Sequence, residues 1–347
     1  MYKQSKYYIS ILIFLLLSVS RSTAFEKVGT TSFQFLKVMT SARYTAMGEA
    51  ASSIAFNSQA VFYNPAGLSY VKNIDVAADY LDWFLDISHV SFAAAYSVPG
   101  IGSFGFQGML TDVGEIRVTS VSALGFVGDR YLGYTGEVIE PGAQVFGLSY
   151  ARQLTEKFSF GLTVKYARED LGVRSTGNVM FDGGLIYDTG FRSLKLAATI
   201  RHFGPDVKYI DEETIVRYDA ENDTSFSQLY TGKAYPLPQT FNIGISGYLM
   251  SGNESLFFDS ESQTLLFSFD MVQPRDFDQQ YNLGLEYGFR NILFLRGGYK
   301  INYDSESFSL GFGVAYSNIR VDYAYSDFGE YLDSVHRFSL GFAMDEL

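Results

Sequence analysis

A catalytic site in this sequence would most readily be found among its histidines, glycine-rich motifs and serines. None of these has the spacing that a catalytic site needs. The three histidines, His89, His202 and His336, are scattered without the separation typical of metal ligands. A Gly-x-Gly-x-x-Gly match at 100–105 joins two predicted strands, and no helix follows it to bind a pyrophosphate. No serine has glycine at both −2 and +2, so the nucleophile elbow is absent. The sequence therefore predicts no catalytic residues, cofactor or metal, and a protein that is not an enzyme.

An acidic stretch at 211–223 is the one candidate for binding a cation. Its clustered carboxylates would suit Ca²⁺, but they lack the Asp-x-Asp-x-Asp-Gly spacing that directs several ligands at one ion. A solvated loop is therefore the favoured interpretation.

A second group of charged residues lies on the polar face of predicted strands. Both signs occur, and a charge that faces a closed interior needs a partner. The favoured interpretation is a set of salt bridges across the interior, and the alternative is a conduction path for a polar solute. The members are Lys165, Asp182, Arg201, Glu286, Arg296, Arg320, Asp322 and Arg337.

The elements that position these charges are strands in which apolar and polar residues alternate. In 157–166, for example, Phe158, Phe160 and Leu162 share one face with the following Val and Tyr, while Lys, Ser, Gly and Thr occupy the other. This pattern is typical of a transmembrane β-barrel, with lipid on one side and a lumen on the other. A soluble periplasmic sandwich is the rival interpretation. Fourteen strands are predicted, at 74–81, 89–98, 102–112, 142–152, 157–167, 177–188, 193–203, 239–249, 264–271, 280–288, 291–300, 306–315, 317–326 and 335–343.

The connections between these strands are of two kinds. Those after even-numbered strands are mostly tight, whereas those after odd-numbered strands include the long stretches 113–141 and 204–238. Short periplasmic turns alternating with long outer loops are typical of an outer-membrane barrel. The segment 250–263 is an exception, because it is a long connection after an even-numbered strand, where a short turn is expected. The pattern does not explain it.

The N-terminus predicts export. Lys3 and Lys6 precede an apolar run at 9–19, and small residues before Phe25 provide a cleavage site, so residues 1–24 have the features of a signal peptide. The run is shorter than the roughly 20 residues that span a bilayer. The chain has no cysteine, which excludes a lipoprotein anchor and disulfides. The predicted location is the outer membrane of a Gram-negative cell envelope.

Composition agrees with this class. Aromatic residues make up 17% of the chain, glycine occurs 33 times, and only 18% of residues are charged, as in barrels with aromatic girdles. The net charge of −12 becomes more negative without the basic leader, so no nucleic-acid partner is expected. We expect outer-membrane lipid and lipopolysaccharide as surroundings, with divalent ions bridging acidic outer loops to the latter.

Residues 25–72 do not alternate, and they are predicted to form a small helical plug. Apolar residues recur there at helical spacing, and the stretch closes with Asn64-Pro65-Ala66-Gly67. Asn64 before a proline is biased to an extended conformation, Pro65 has a fixed φ, and Gly67 permits a positive φ. From this turn chemistry alone, a plug and a simple N-terminal turn remain equally open.

The segment 29–68 resembles the opening signature of the PorV/PorQ family of bacterial outer-membrane proteins. The resemblance rests on Ser41-Ala42-Arg43, Ala46-Met47-Gly48-Glu49-Ala50 and Ala60-Val61-Phe62-Tyr63-Asn64-Pro65-Ala66-Gly67-Leu68, which occur in order after a signal peptide. That family is related to the fatty-acid transporter FadL, whose N-terminal hatch has a similar Asn-Pro-Ala turn. The resemblance marks the plug motif as Arg43, Met47, Gly48, Asn64, Pro65 and Gly67.

The resemblance implies an all-β, transmembrane antiparallel barrel of about fourteen strands over residues 73–347, closed by the plug. It further implies a part in type IX secretion or cell-surface attachment, in which the loops 113–141 and 204–238 bind secreted cargo proteins or secretion-machinery subunits. The alternative is a FadL-like channel for hydrophobic small molecules, with the ligand in an apolar pocket between plug and wall.

Overall fold

The structure is a computed structural model that describes residues 28–344 except 120–125, 128–129, 132, 173, 210–211, 220–223, 253, 330–331 and 333. The predicted signal peptide, residues 1–24, lies outside the described residues. Both ends of the acidic stretch 211–223 also lie outside the described residues. Neither the favoured interpretation as a solvated loop nor the alternative of a Ca²⁺ site is therefore tested.

The alternating segments form one closed antiparallel barrel of fourteen strands, which confirms the predicted fold class. Each strand pairs with its neighbours in sequence, and the first strand pairs with the last, so the sheet has no open edge. Predicted and observed strand ends agree within about three residues. The strands are β1 (Ile74–Asp82), β2 (Ser88–Val98), β3 (Gly102–Asp112), β4 (Gly142–Thr155), β5 (Phe158–Asp170), β6 (Ser175–Asp188), β7 (Lys195–Phe203), β8 (Thr240–Ser251), β9 (Gln263–Pro274), β10 (Gln280–Phe289), β11 (Leu293–Ile301), β12 (Phe308–Tyr316), β13 (Ile319–Ser326) and β14 (Val335–Met344).

The two faces of the wall differ as the alternation predicts. On β5, Leu162 is 57% exposed on the outer face, while the next residue, Thr163, is 1% exposed on the inner face. The same contrast separates Leu196 from Ala197 on β7. A continuous apolar outer surface over a polar interior is the arrangement that a bilayer requires of a barrel.

The long connections carry short hairpins of their own. We call the end of the barrel where they lie the mouth, and the opposite end the base. The hairpin strands among the described residues are Ile116–Thr119 with Tyr134–Ile139, Phe126–Val127 with Arg130–Tyr131, Val207–Lys208 with Ala234–Tyr235, and Glu212–Asp219 with Thr224–Thr231.

The long connection at the base, which the sequence pattern does not explain, extends the wall. Strand β8 continues to Ser251, beyond Ser246, which pairs with the first residue of β7. The returning chain runs parallel to this free stretch through Phe258–Asp259, and Leu256 donates its backbone N–H to the Tyr248 carbonyl at 2.8 Å. The segment therefore satisfies backbone groups that β7 leaves unpaired.

Residues 28–72, the inner segment, lie inside the barrel and form its core. Side chains such as Tyr44, Met47 and Leu68 are completely buried, and the segment hydrogen-bonds strands on all sides of the lumen. Its elements are a 3₁₀ turn (Gln34–Lys37), α1 (Ala42–Ala46), α2 (Ala60–Tyr63) and a second 3₁₀ turn (Pro65–Tyr70). Among the described residues, no helix has the length and apolar character needed to cross a membrane.

Candidate functional site

The Asn-Pro-Ala-Gly turn fastens the inner segment to the wall. Asn64 is extended, with φ −149°, as expected before a proline, and its side-chain oxygen accepts the Ala66 N–H at 3.0 Å. Its amide nitrogen donates to the Ser52 carbonyl at 2.7 Å and to the Leu185 carbonyl of β6 at 3.2 Å. One completely buried side chain therefore closes the turn, ties it to the rest of the segment and joins it to the barrel.

The role expected for Gly67 is wrong in one respect. Gly67 does not have a positive φ; it lies inside the 3₁₀ turn. A Cβ atom there would stand 1.8 Å from the Ala55 carbonyl oxygen, so glycine is required by close packing rather than by backbone conformation. This contact could not be predicted from the sequence, because only the fold brings Ala55 next to Gly67.

The motif Met47-Gly48 forms a second contact with the wall. Gly48 has φ +63°, and a Cβ on it would stand 2.8 Å from the Leu283 carbonyl oxygen of β10. The wall provides space through its own glycines: a Cβ on Gly298 of β11 would lie 1.9 Å from the Gly48 nitrogen. Likewise, a Cβ on Gly184 of β6 would lie 1.9 Å from the Asn64 side-chain oxygen. The motif search did not single out these wall glycines, although the inner segment packs against them.

Four predicted residues form a chain of buried ion pairs. Arg43 donates Nε and Nη2 to the two carboxylate oxygens of Glu286, at 3.0 and 2.9 Å. Glu286 also accepts from Arg296 at 2.6 Å, and Arg296 reaches Asp322, also at 2.6 Å. The motif arginine of the inner segment is thereby joined to strands β10, β11 and β13. Alternating charges at these distances satisfy one another, with Glu286 and Arg296 buried and Arg43 partly exposed.

Two further ion pairs involve the predicted charges. Lys165 lies 2.5 Å from Asp182 across β5 and β6, and Asp182 also accepts the His202 backbone N–H at 2.7 Å. Arg320 reaches Asp75 at 2.8 Å. Together with the chain above, six of the eight predicted lumen charges have an oppositely charged partner.

Three buried aspartates on the wall were missed by the sequence search. Asp75 accepts the Ser58 N–H at 2.9 Å, Asp79 accepts the Gln59 side chain at 2.6 Å, and Asp270 accepts the Ser52 N–H at 2.9 Å. Each carboxylate thus receives a hydrogen bond from the inner segment. The signal that would have found Asp75 and Asp79 is their spacing of four on β1, which places both side chains on the lumen face.

Arg201 and Arg337 are different from the other predicted charges. Arg337 donates to the Met39 carbonyl at 2.9 Å and to Ser326 at 2.9 Å. Arg201 donates to the Phe62 carbonyl at 3.2 Å and contacts the Met39 sulfur at 3.6 Å. Both are at least nine-tenths buried, and neither forms a salt bridge with any carboxylate in the part of the chain that the structure describes.

These two arginines line a cavity of about 290 Å³ at the mouth, the mouth cavity. Loops after odd-numbered strands contribute Trp83, Phe277 and Tyr303, while the inner segment contributes Val38 and Met39. Most small-molecule sites combine an apolar lining with a few placed polar groups, whereas this cavity combines its apolar residues with charged ones of both signs.

A smaller space of about 30 Å³, the inner chamber, lies beside it and reaches Gln107 and Lys165 of β3 and β5. Val38, Met39 and His202 line both spaces, so they form the partition between them. The Gln107 side-chain nitrogen and the His202 Nδ1 at the chamber are buried without a hydrogen-bond partner among the described residues. The arrangement is a mouth site and a deeper site separated by two residues of the inner segment and one of the wall.

A loop carboxylate at the mouth holds the start of the inner segment. Asp276 accepts from Lys37 at 2.6 Å and from Thr31 at 2.6 Å. Burial of Asp276 favours its neutral form, but the hydrogen bonds from Lys37 and Thr31 outweigh burial and lower its pKa.

Comparison with known proteins gives a fold but no close relative. No family model matches the chain, and no curated protein matches it in sequence. The toluene transporter TodX of Pseudomonas putida is 12% identical, with a TM-score of 0.55, over 87% of this chain and 97% of that one. The monoaromatic hydrocarbon channel CymD is 13% identical, with a TM-score of 0.54, over 88% of this chain and 98% of that one.

At these identities the likeness shows the fold alone, which is a closed antiparallel β-barrel. The resemblance to the PorV/PorQ family and the relation to FadL stay predictions.

Proposed function

We propose that this protein is a non-enzymatic outer-membrane channel that takes up small molecules with an apolar body. The observation that carries the proposal is the mouth cavity, which is lined by residues of the mouth loops and shares Val38, Met39 and His202 with the inner chamber. Two proteins that share the fold are described as a toluene transporter and a hydrocarbon channel, which supports the alternative drawn from the sequence.

The proposal includes the division of the chain predicted from sequence. Residues 1–24 direct export, residues 25–72 act as the plug, and residues 73–347 form the wall in the outer membrane. The plug function of the inner segment agrees with its burial and with its contacts to strands all around the lumen. In the described residues, a ligand in the mouth cavity would need the partition to move before it could go deeper.

The element proposed to move is the arm, residues 28–41. The arm contains Val38 and Met39, and Thr40 at its end lies with its hydroxyl 2.6 Å from that of Ser91 on β2. The chain has no cysteine, so a Thr40→Cys/Ser91→Cys variant would contain one possible disulfide, between arm and wall.

We expect oxidised Thr40→Cys/Ser91→Cys protein to lose uptake, and reduction to restore it, because the partition cannot open while the arm is tethered. Uptake of radiolabelled toluene by cells that carry the variant in the outer membrane measures this. Ser149→Cys/Thr163→Cys is the matched control: these hydroxyls are 2.7 Å apart on neighbouring wall strands, and their disulfide leaves the arm free. Unchanged uptake in oxidised arm-tethered protein would refute the moving partition.

A part in type IX secretion is the second candidate function. The resemblance of residues 29–68 to the PorV/PorQ signature favours it, with the mouth loops 113–141 and 204–238 as the surface that binds secreted cargo or secretion-machinery subunits. Purification from detergent tests it: co-purification of proteins with C-terminal sorting domains, lost on deletion of hairpin residues 212–231, would support this candidate. Recovery of the barrel alone would count against it.

A further inference from the structure

One side of the mouth cavity is lined by two arginines that form no salt bridge among the described residues, although Glu306 and Glu49 lie close enough to attract Arg337 electrostatically. The guanidinium groups of Arg201 and Arg337 both contact Met39, and their hydrogen bonds go to neutral oxygens and sulfur of Phe62, Thr240, Ser326 and Met39. Burying a charge that is only partly compensated is costly. Arginine also presents more donors than these bonds use, in a fork that matches a carboxylate. This side is therefore suited to an acidic group.

Another side of the same cavity has an excess of negative charge. Glu49 and Glu306 both pair with Lys300, at 3.0 and 2.6 Å, so two carboxylates share one ammonium group. One carboxylate oxygen of Glu306 has no hydrogen-bond partner among the described residues. Burial opposes ionisation of Glu306, but the positive charges of Lys300 and Arg337 outweigh burial and lower its pKa, so the group is charged at neutral pH. This side is suited to a cationic donor.

The space between the two sides has aromatic and apolar walls. Trp83 stacks over Arg337, with the guanidinium 5.6 Å from the ring, and Phe277 and Val272 also line the cavity. At about 290 Å³ the cavity is at the lower end of the range for small-molecule sites, which limits the ligand to roughly one ring with short substituents.

We infer that the mouth cavity binds a small zwitterion with an apolar body, whose acidic group pairs with Arg201 and Arg337 and whose amino group pairs with Glu306 and Glu49. This inference rests on the proposed uptake function and names the ligand class of that site. A pure hydrocarbon would leave the unused donors of the two arginines and the unpaired oxygen of Glu306 without hydrogen bonds, so it would bind more weakly than a zwitterion of the same size.

Four probes with the same phenyl body separate the contributions of the two charges. Ethylbenzene carries neither charge, 3-phenylpropionate carries only the acidic group, 2-phenylethylamine carries only the amino group, and phenylalanine carries both. Trp83 is the only tryptophan in the chain and lines the cavity, so its fluorescence in lipid nanodiscs reports binding directly. Free probe is measured in the aqueous phase, because ethylbenzene partitions into lipid.

We expect phenylalanine to bind about tenfold or more tighter than ethylbenzene, with the two singly charged probes between them. Arg201→Met should weaken the acid-bearing probes relative to 2-phenylethylamine, and Glu306→Gln should weaken the amine-bearing probes relative to 3-phenylpropionate. Arg152→Met, at the exposed opposite rim, is the matched control.

The outcomes distinguish this inference from the proposed function. If ethylbenzene or 3-phenylpropionate bound as tightly as phenylalanine, the inference of a zwitterionic ligand would be wrong. The proposed uptake of molecules with an apolar body would not be affected by that result. Binding of none of the four probes by well-folded wild-type protein would overturn the proposed function itself.

Discussion

The arm and the remainder of the inner segment, residues 42–72, which we call the seat, are fixed to the barrel in different ways. The seat places its backbone against wall glycines and donates hydrogen bonds to buried carboxylates of the strands. The arm is attached partly to loops at the mouth: Ser32 bonds the Pro236 carbonyl, and Lys37 pairs with Asp276 while remaining 34% exposed. Its last residues also contact strands, through Thr40 to Ser91 and through the Met39 carbonyl to Arg337.

This difference in attachment indicates which part of the inner segment moves more easily. Loops open locally at a lower free-energy cost than strands in a closed sheet, and an ion pair with one partly exposed partner contributes less than a fully buried one. We therefore expect the seat to stay fixed to the wall and the arm to be the more mobile of the two. Three predictions test this contrast.

The largest effect is expected at the buried ion-pair chain of the seat. Glu286→Gln would leave Arg43 and Arg296 without their shared carboxylate, at a cost of about 3–5 kcal/mol in the free energy of unfolding. Urea unfolding of the barrel in lipid vesicles measures it, with Glu156→Gln on an exposed turn as control. A loss under about 1 kcal/mol would mean that the seat is held no more firmly than a surface pair.

An intermediate effect is expected at the wall glycines. Gly184→Val should cost about 1–3 kcal/mol through overpacking, because its Cβ would stand 1.9 Å from the Asn64 side-chain oxygen. The neighbouring Gly183→Val is the matched control, since its closest contact would be an ordinary 3.5 Å to Ile200. The temperature at which gel migration shifts from folded to unfolded compares the two variants. Equal shifts would show that the close approach of seat and wall is not important for stability.

The smallest effect is expected in the arm, and it depends on pH. Because the pKa of Asp276 is lowered in the folded protein, the stabilisation is fully present above about pH 4 and is lost as the pH falls through the lowered value. Hydrogen exchange of the Leu36 and Val38 amides should then become faster than the intrinsic pH trend, while seat amides stay protected. Asp276→Asn should remove this pH dependence. If the arm and seat amides lost their protection from hydrogen exchange at the same pH, the arm and the seat would not be independent of each other.

Much of the barrel could be predicted from the sequence. Alternation of period two assigned inner and outer faces correctly at Leu162 and Thr163, and fourteen strands were counted without knowledge of their partners. The conformation of Asn64 also followed from the proline after it. These properties depend on residues close in sequence, and the local steric and solvation rules therefore suffice to predict them.

The pairing of the lumen charges and the mouth cavity could not be predicted in the same way. All eight lumen charges have similar surroundings in sequence, yet the fold pairs six of them and leaves Arg201 and Arg337 beside a cavity. Glycine at position 67 was recognised as important for the wrong reason, because its neighbour Ala55 comes from elsewhere in the segment.

The sequence by itself thus determined the wall: which face of each strand meets lipid, how many strands there are, and where the turn of the inner segment lies. Only the tertiary structure decided how the lumen is filled, which charges are paired, and that two residues of the arm separate a cavity from a chamber. The physical reason is that strand faces follow from a local repeat, whereas the contacts of the lumen join residues more than two hundred positions apart, such as Arg43 and Glu286.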